Sequence, residues 1–387
     1  MADNPLLRLK KRGQSVWYDN IERDLLLSGG LSRMVREDGI AGVTSNPTIF
    51  QKAVSGSDHY DDAIREMIGL GLDTAEILDA LVAQDIAAAA DILRPTFEAT
   101  ATVDGWVSIE VPASMAYDPE ATLAEVGRLR TLVDRPNVLV KIPGTKEGID
   151  AIRTSIARGH SINITLIFSL ERYGEVIEAY MAGLEELIER REAGEDLPEP
   201  RAVRSVASFF VSRVDTKVDG LLEKQIGQAD RDHAAELSAL RGKAAIANAK
   251  LAYQMFLEAF KGERWEKLAL EGALVQRPLW ASTSTKNPEY RDVLYVEELI
   301  GPDTVNTMPQ ETVDAFRDHG EVRGDTVLED VDAARRSLEA LEEHGISMAQ
   351  VTAELEVEGV KKFADSFDEL YEAVEAKRSR IAETVGR

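Results

Sequence analysis

Eight short apolar runs rich in β-branched residues recur along the chain, most of them separated by helix-patterned sequence, and this alternation limits the possible folds more than any other feature. The runs are VWYDNI (16–21), GIAGVTSN (39–46), WVSIEVP (106–112), NVLVKIP (137–143), SINITLIF (161–168), AVRSVASFF (202–210), LVQRPLWAST (274–283) and DTVNTMP (303–309). Between most of them apolar residues fall at helical spacing, as Ile246, Ala249, Tyr253, Phe256, Leu257 and Phe260 do. Eight strands alternating with helices over about 300 residues suit a parallel (β/α)8 barrel, the TIM barrel of the α/β class, better than an open doubly wound sheet. The dinucleotide-binding alternative also lacks its signature: GLGLDT (69–74) has two glycines, follows no strand and reads as a helix end, and no GxxxxGK[ST] loop occurs.

With 387 residues, 44% of them hydrophobic, the chain is long enough for one large domain, taken here as 1–387. Helical segments at about 56–99 and 212–262 read as insertions that enlarge the barrel, and EAGEDLPEP (192–200) as a charged surface loop. Beyond 309 the pattern is wholly helical, a C-terminal extension over about 310–387. It ends in a run from about 358 whose Val360, Phe363, Phe367, Leu370 and Val374 form an apolar stripe, expected to be core packing.

Composition removes several classes of function. The absence of cysteine excludes disulfides, thiolate metal sites and cysteine nucleophiles. The five histidines (His59, His160, His233, His319, His344) show no ligand spacing, so no metal is expected. A formal net charge of −24 opposes nucleic acid as a partner. No apolar run is long enough for a membrane span, and MADNPLLRLKKR at the start lacks a signal-peptide core, so a cytoplasmic location is expected.

In such a barrel the carboxyl ends of the strands face the active site, so polar residues late in apolar strands are the ones to collect. They are Asp19, Thr44, Asn46, Glu110, Lys141, Asn163, Thr165, Ser208 and Ser282. Lys141 stands out, set among Val138, Leu139, Val140 and Ile142 and followed by Pro143 and Gly144. Burial disfavours a lysine's charged form, and the neutral amine is the form that attacks a carbonyl. As one half of a buried ion pair with Glu110 or Asp19, the same lysine would be structural, and the sequence leaves that open. In a lysine-imine mechanism, two carboxylates could divide the proton transfers at the amine from those at a substrate hydroxyl, while Asn46, Asn163 and Ser208 would fix hydroxyls without adding charge.

Taken together, GVTSNPTIF (42–50), VSIEV (107–111), VLVKIPGT (138–145), INITLIFSLERY (162–173), SFFVSRVD (208–215), LWASTSTKNP (279–288) and VNTMPQET (305–312) resemble the transaldolases, class I Schiff-base enzymes of the pentose phosphate pathway. The similarity runs from about residue 14 to the last helix, and the extra length fits a longer bacterial subgroup. The resemblance implies Lys141 as the Schiff-base lysine, Asp19 as the acid/base of carbon–carbon cleavage, and Glu110 with Thr165 as the pair that positions a catalytic water. It further implies that Thr44, Asn46, Asn163 and Ser208 hold or border a dihydroxyacetone unit, and that Arg213 and Ser282 bind phosphate. Better-known subfamilies carry a second phosphate-binding arginine two positions after the serine matched by Ser282; here the sequence reads STSTKNP, and Lys286 is the nearby cation assigned that role. The implied substrates are sugar phosphates, the implied assembly a monomer or homodimer, and no metal or organic cofactor is needed. Outside that activity stand a lysine-dependent aldolase releasing free dihydroxyacetone, a pyridoxal-phosphate barrel and a non-catalytic sugar-phosphate-binding barrel.

Overall fold

The computed structural model describes residues 4–385; residues 1–3 and 386–387, the outermost of the span taken as one domain, lie outside the described residues. All eight expected strands form: β1 (Gln14–Tyr18), β2 (Gly42–Val43), β3 (Trp106–Glu110), β4 (Val138–Pro143), β5 (Ile162–Ile167), β6 (Ser205–Phe210), β7 (Arg277–Ala281) and β8 (Thr304–Met308). They pair in parallel in chain order and close, β8 against β1, into a barrel with helices between the strands. The fold is the (β/α)8 barrel that the alternation predicts.

Register explains how one face of each strand builds the interior. Glu110 stands opposite Lys141 and Lys141 opposite Asn163, so three polar side chains share one face at one height. Trp17 packs over Gly42, where a Cβ would lie 2.5 Å from the indole; only glycine permits that approach. Lower down, Arg277 closes the barrel floor, pairing with Asp104 at 3.1 Å and donating to Ser15 Oγ and the Thr304 carbonyl, each at 2.7 Å.

Several boundaries differ from the sequence reading. Strand one ends at Tyr18, which places Asp19 just past the strand on the loop side. Strand two shrinks to two residues because Asn46 caps the helix Pro47–Gly56, its Oδ1 accepting the Ile49 N–H at 3.0 Å with Pro47 in the first turn. GLGLDT is indeed a helix end, with Leu70 at the C-cap and Gly71 at φ +81°. The region after 309 is not wholly helical: between the helices Gln310–His319 and Val331–Glu343 lie a loop and a 3₁₀ turn, Thr326–Leu328. The final helix, Met348–Val385, starts about ten residues earlier than its apolar stripe suggests.

That helix lies across the helices Pro47–Gly56 and Asp61–Gly69 and reaches β5. Gly359 rests on Leu166, where a Cβ would come within 2.9 Å of Cδ2. Leu166 itself sits at φ +61° in a register shift of β5, a bulge immediately after Thr165. The helix is fastened by Thr48 Oγ1 and Ser366 Oγ at 2.8 Å, by Lys377 to Asp61 at 2.7 Å, and by Thr74 to Glu375. The stripe packs as core, with Val360, Phe363, Leu370 and Val374 buried and Phe367 half-buried, and Phe363 in addition borders the barrel mouth.

A candidate active site at the barrel mouth

A cavity of about 210 Å³ opens at the carboxyl ends of the strands. Of the eleven residues collected from the sequence, Asp19, Thr44, Asn46, Lys141, Thr165, Ser208, Arg213, Ser282 and Lys286 line it. Glu110 lies beside it, on the narrow cleft under the C-terminal helix, and touches the cavity through Lys141. Asn163 is wholly buried beneath, its amide donating to Ser108 Oγ at 3.1 Å and accepting from Ser208 Oγ at 2.7 Å. Asn163 thus orients Ser208 from below.

Lys141 is 6% exposed, and its Nζ donates to the Ser45 carbonyl at 3.1 Å and to Glu110 Oε2 at 3.3 Å. The Phe363 ring centroid lies 5.7 Å from that nitrogen. The buried ion pair that the sequence left open is therefore real. It does not make the lysine purely structural, because the nitrogen also borders the cavity. Burial pushes the Glu110 carboxyl up to about 7, against the opposing pull of Lys141. Glu110 Oε1 and Thr165 Oγ1 are both buried without a protein partner among the described residues. Such atoms need a partner of some kind.

Across the cavity Asp19 Oδ1 accepts from Thr44 Oγ1 at 2.6 Å, and Thr44 Oγ1 meets Thr307 Oγ1 at the same distance. If Thr44 gives its proton to Asp19, Thr307 donates to Thr44, so the relay has one direction. Burial raises the Asp19 pKa, while the Thr44 hydrogen bond and Lys141 pull it back. Two carboxylates thus occupy different surroundings, one bonded to the lysine and one to the Thr44 hydroxyl.

The outer wall is cationic. Arg213 stacks on Phe210 at 5.0 Å and makes no ion pair among the described residues; burial lowers its pKa, and Asp19 and Glu110 oppose that. Ser282, at φ +57°, shares a 2.9 Å hydroxyl contact with Ser212. Lys286 is exposed and reaches back to Ser284 Oγ at 2.6 Å, across the position where the better-known subfamilies place an arginine.

Sequence reasoning missed Phe210, Thr307, Glu311 and Phe363 on the cavity wall. Phe210 and Thr307 were reachable, since each follows the period-two rule that selected Ser208 and the other strand-end residues. Phe363 was not, because its place depends on how a distant helix crosses the mouth.

A family model described as Transaldolase/Fructose-6-phosphate aldolase matches residues 16–374. The transaldolase of Parafrankia sp. (strain EAN1pec) is 50% identical over 370 residues, covering 96% of this chain and 97% of that one. The transaldolase of Thermobifida fusca (strain YX) is 50% identical over 371 residues, with 96% and 97% covered. That of Acidothermus cellulolyticus is 49% identical over 384 residues, 99% of this chain and all of the relative. The chain belongs to the transaldolase/fructose-6-phosphate aldolase family.

Proposed function

We propose that the chain is a transaldolase that moves a dihydroxyacetone unit from a ketose phosphate, such as sedoheptulose 7-phosphate or fructose 6-phosphate, to an aldose phosphate in the non-oxidative pentose phosphate pathway. The observation that carries this reading is Lys141 Nζ, buried at a cavity wall that also presents Asp19 and Arg213. Lys141 attacks the C2 carbonyl of the ketose, and loss of water gives the imine. Glu110, titrating near neutrality, exchanges the protons of addition and dehydration. As the resemblance implies, Glu110 and Thr165 position the water that later hydrolyses the imine. Asp19 takes the C4 hydroxyl proton as the C3–C4 bond breaks, releasing the aldose phosphate and leaving an enamine. The enamine adds to the acceptor aldehyde, Asp19 returns the proton, and hydrolysis frees Lys141.

Thr44, Asn46 and Ser208 hold the three-carbon unit, Asn163 supports Ser208, and Arg213, Ser282 and Lys286 take the phosphate. The family description also covers an aldolase, in which water protonates the enamine and free dihydroxyacetone leaves. Sustained dihydroxyacetone release from donor alone would select that second reading. No helix among the described residues is long and apolar enough to cross a membrane, and we place the enzyme in the cytoplasm as a monomer or homodimer acting without a cofactor.

Borohydride trapping with fructose 6-phosphate followed by peptide mass mapping tests the proposal. The added mass is expected on Lys141. A label on Lys146 or Lys286, with Lys141 unmodified, would overturn the assignment.

A further inference from the structure

The two cations assigned to the phosphate stand on different elements. Arg213 lies in the first turn of the helix Ser212–Ile226, and Lys286 in the loop that follows β7. At the base the two elements are joined through serines: the Ser212 N–H donates to the Ser282 carbonyl at 2.9 Å, and the two hydroxyls meet at the same distance. Lys286 is four residues further out and exposed, on a flexible stem that lacks the fixed fork of an arginine. Where its backbone is held therefore decides what its ammonium reaches.

The loop is moored a second time, by Tyr290. Its hydroxyl donates to Asp219 Oδ2 at 2.6 Å, and Asp219, only 6% exposed, stands nearly two turns along the helix that carries Arg213. The socket is shaped to the ring: Gly242, at φ +69°, donates its N–H to Asp219 Oδ1 at 2.9 Å, and a Cβ there would lie 2.8 Å from the Tyr290 ring. Burial raises the Tyr290 pKa and the bond to Asp219 adds to the shift, so the hydroxyl stays a donor at neutral pH. Arg241 also bridges helix and loop, to Glu223 at 2.9 Å and Glu289 at 3.2 Å, but both acids are exposed and such pairs contribute little. The anchor reaches Lys286 from both sides. Thr285 Oγ1 donates to the carbonyls of Arg291 and Asp292 at 3.0 and 3.2 Å, and the Asn287 carbonyl accepts from the Tyr290 N–H at 3.1 Å. The residues before and after Lys286 are thus bonded to the stretch that Tyr290 fastens.

We propose, on the reading that Arg213 and Lys286 bind the phosphate, that Tyr290 and Asp219 are positioning residues for the sugar phosphate. Their bond fixes the Lys286 loop to the Arg213 helix and so sets the spacing at which the two cations meet one phosphate. A lysine out on a loop can then serve where the better-known subfamilies carry an arginine, because its base is held from a buried carboxylate. Neither Tyr290 nor Asp219 lines the catalytic cavity, so the effect is exerted through Lys286.

Steady-state kinetics of a double-mutant cycle on the full chain tests the proposal. Tyr290→Phe, which removes only the hydroxyl, should raise the KM for fructose 6-phosphate about fivefold, the effect of one hydrogen bond, and leave kcat within about twofold. Lys286→Ala should raise the same KM at least as much. Adding Tyr290→Phe to Lys286→Ala should then add nothing, because the cation through which the tyrosine acts is gone; a merely structural tyrosine would cost the same in both backgrounds. Borohydride trapping of unphosphorylated fructose at Lys141 should keep its wild-type rate in Tyr290→Phe. An unchanged KM in Tyr290→Phe, an equal rise on top of Lys286→Ala, or slowed trapping of fructose would each overturn the positioning role while leaving Lys286 a phosphate ligand. An unchanged KM in Lys286→Ala would overturn that phosphate assignment, and the positioning role with it.

Discussion

Asp19 and Glu110 differ in their neighbours rather than in their chemistry, and that difference assigns their tasks. Glu110 is bonded to the lysine and Asp19 is not, so removing Asp19 should spare imine formation while removing Glu110 should not. Asp19→Asn is expected to lower turnover by about 10² to 10⁴ while borohydride trapping at Lys141 persists or increases. Glu110→Gln should slow imine formation and hydrolysis. If Asp19→Asn abolished trapping while Glu110→Gln left it fast, the roles would be exchanged. The raised pKa of Glu110, about 7, adds a pH dependence. A carboxyl whose folded pKa is raised contributes stability that is complete below its unfolded value, near 4.5, and is lost as pH rises through about 7. Chemical denaturation across that window should show the wild type losing stability relative to Glu110→Gln, and the limb near 7 in the pH profile of imine formation should flatten in the variant. These residues were legible because a charge at the end of an apolar strand conflicts with its surroundings. What the sequence did not carry was pairing: nothing in VSIEV or VLVKIP says that Glu110 Oε2 rather than Asp19 meets Lys141, since that follows from the strand register.

At the scale of elements, the strands were readable because each is apolar, short and bounded by turn residues, whereas the crossing of the last helix was not. Its stripe has the spacing of any buried helix face, and only the packing on Pro47–Gly56 turns Phe363 toward Lys141. This position gives the helix a catalytic consequence. The ring covers the lysine on the solvent side, and excluding water strengthens the electrostatics within. Phe363→Ala should destabilise the fold by about 3 to 4 kcal/mol, near the lower end for buried phenylalanine, and slow imine formation by about tenfold. Phe363→Leu should recover most of both, being apolar and of similar reach. Thermal unfolding together with the rate of borohydride-trappable imine separates the effects. A variant that loses stability but keeps the wild-type rate would show that the helix merely packs there.

For the whole molecule the question is how an enzyme with 69 acidic and 45 basic residues captures an anionic sugar. Beside the catalytic cavity, and sharing Arg213, Ser282 and Lys286 with it, runs a groove of about 660 Å³ that also presents Lys217, Lys224 and Lys362. Lys217 is tied to Glu354 at 2.7 Å and to Glu358 at 2.5 Å, so the remaining cations form the attractive part. Which charges a substrate feels depends on the screening length. At 0.01 M ionic strength that length is about 30 Å and the phosphate senses the whole acidic molecule; at 0.15 M it is about 8 Å and mainly the groove is sensed; near 1 M, at about 3 Å, even the groove is screened. The kcat/KM for a phosphorylated donor should therefore rise between the first two conditions and fall toward the third. Lys224→Glu should lower the maximum and shift it to higher salt, because more of the local field must be screened before approach becomes favourable. A simple decline from the lowest salt upward would mean that the groove outweighs the net charge at every distance, and a continuous rise would mean that it contributes nothing to capture.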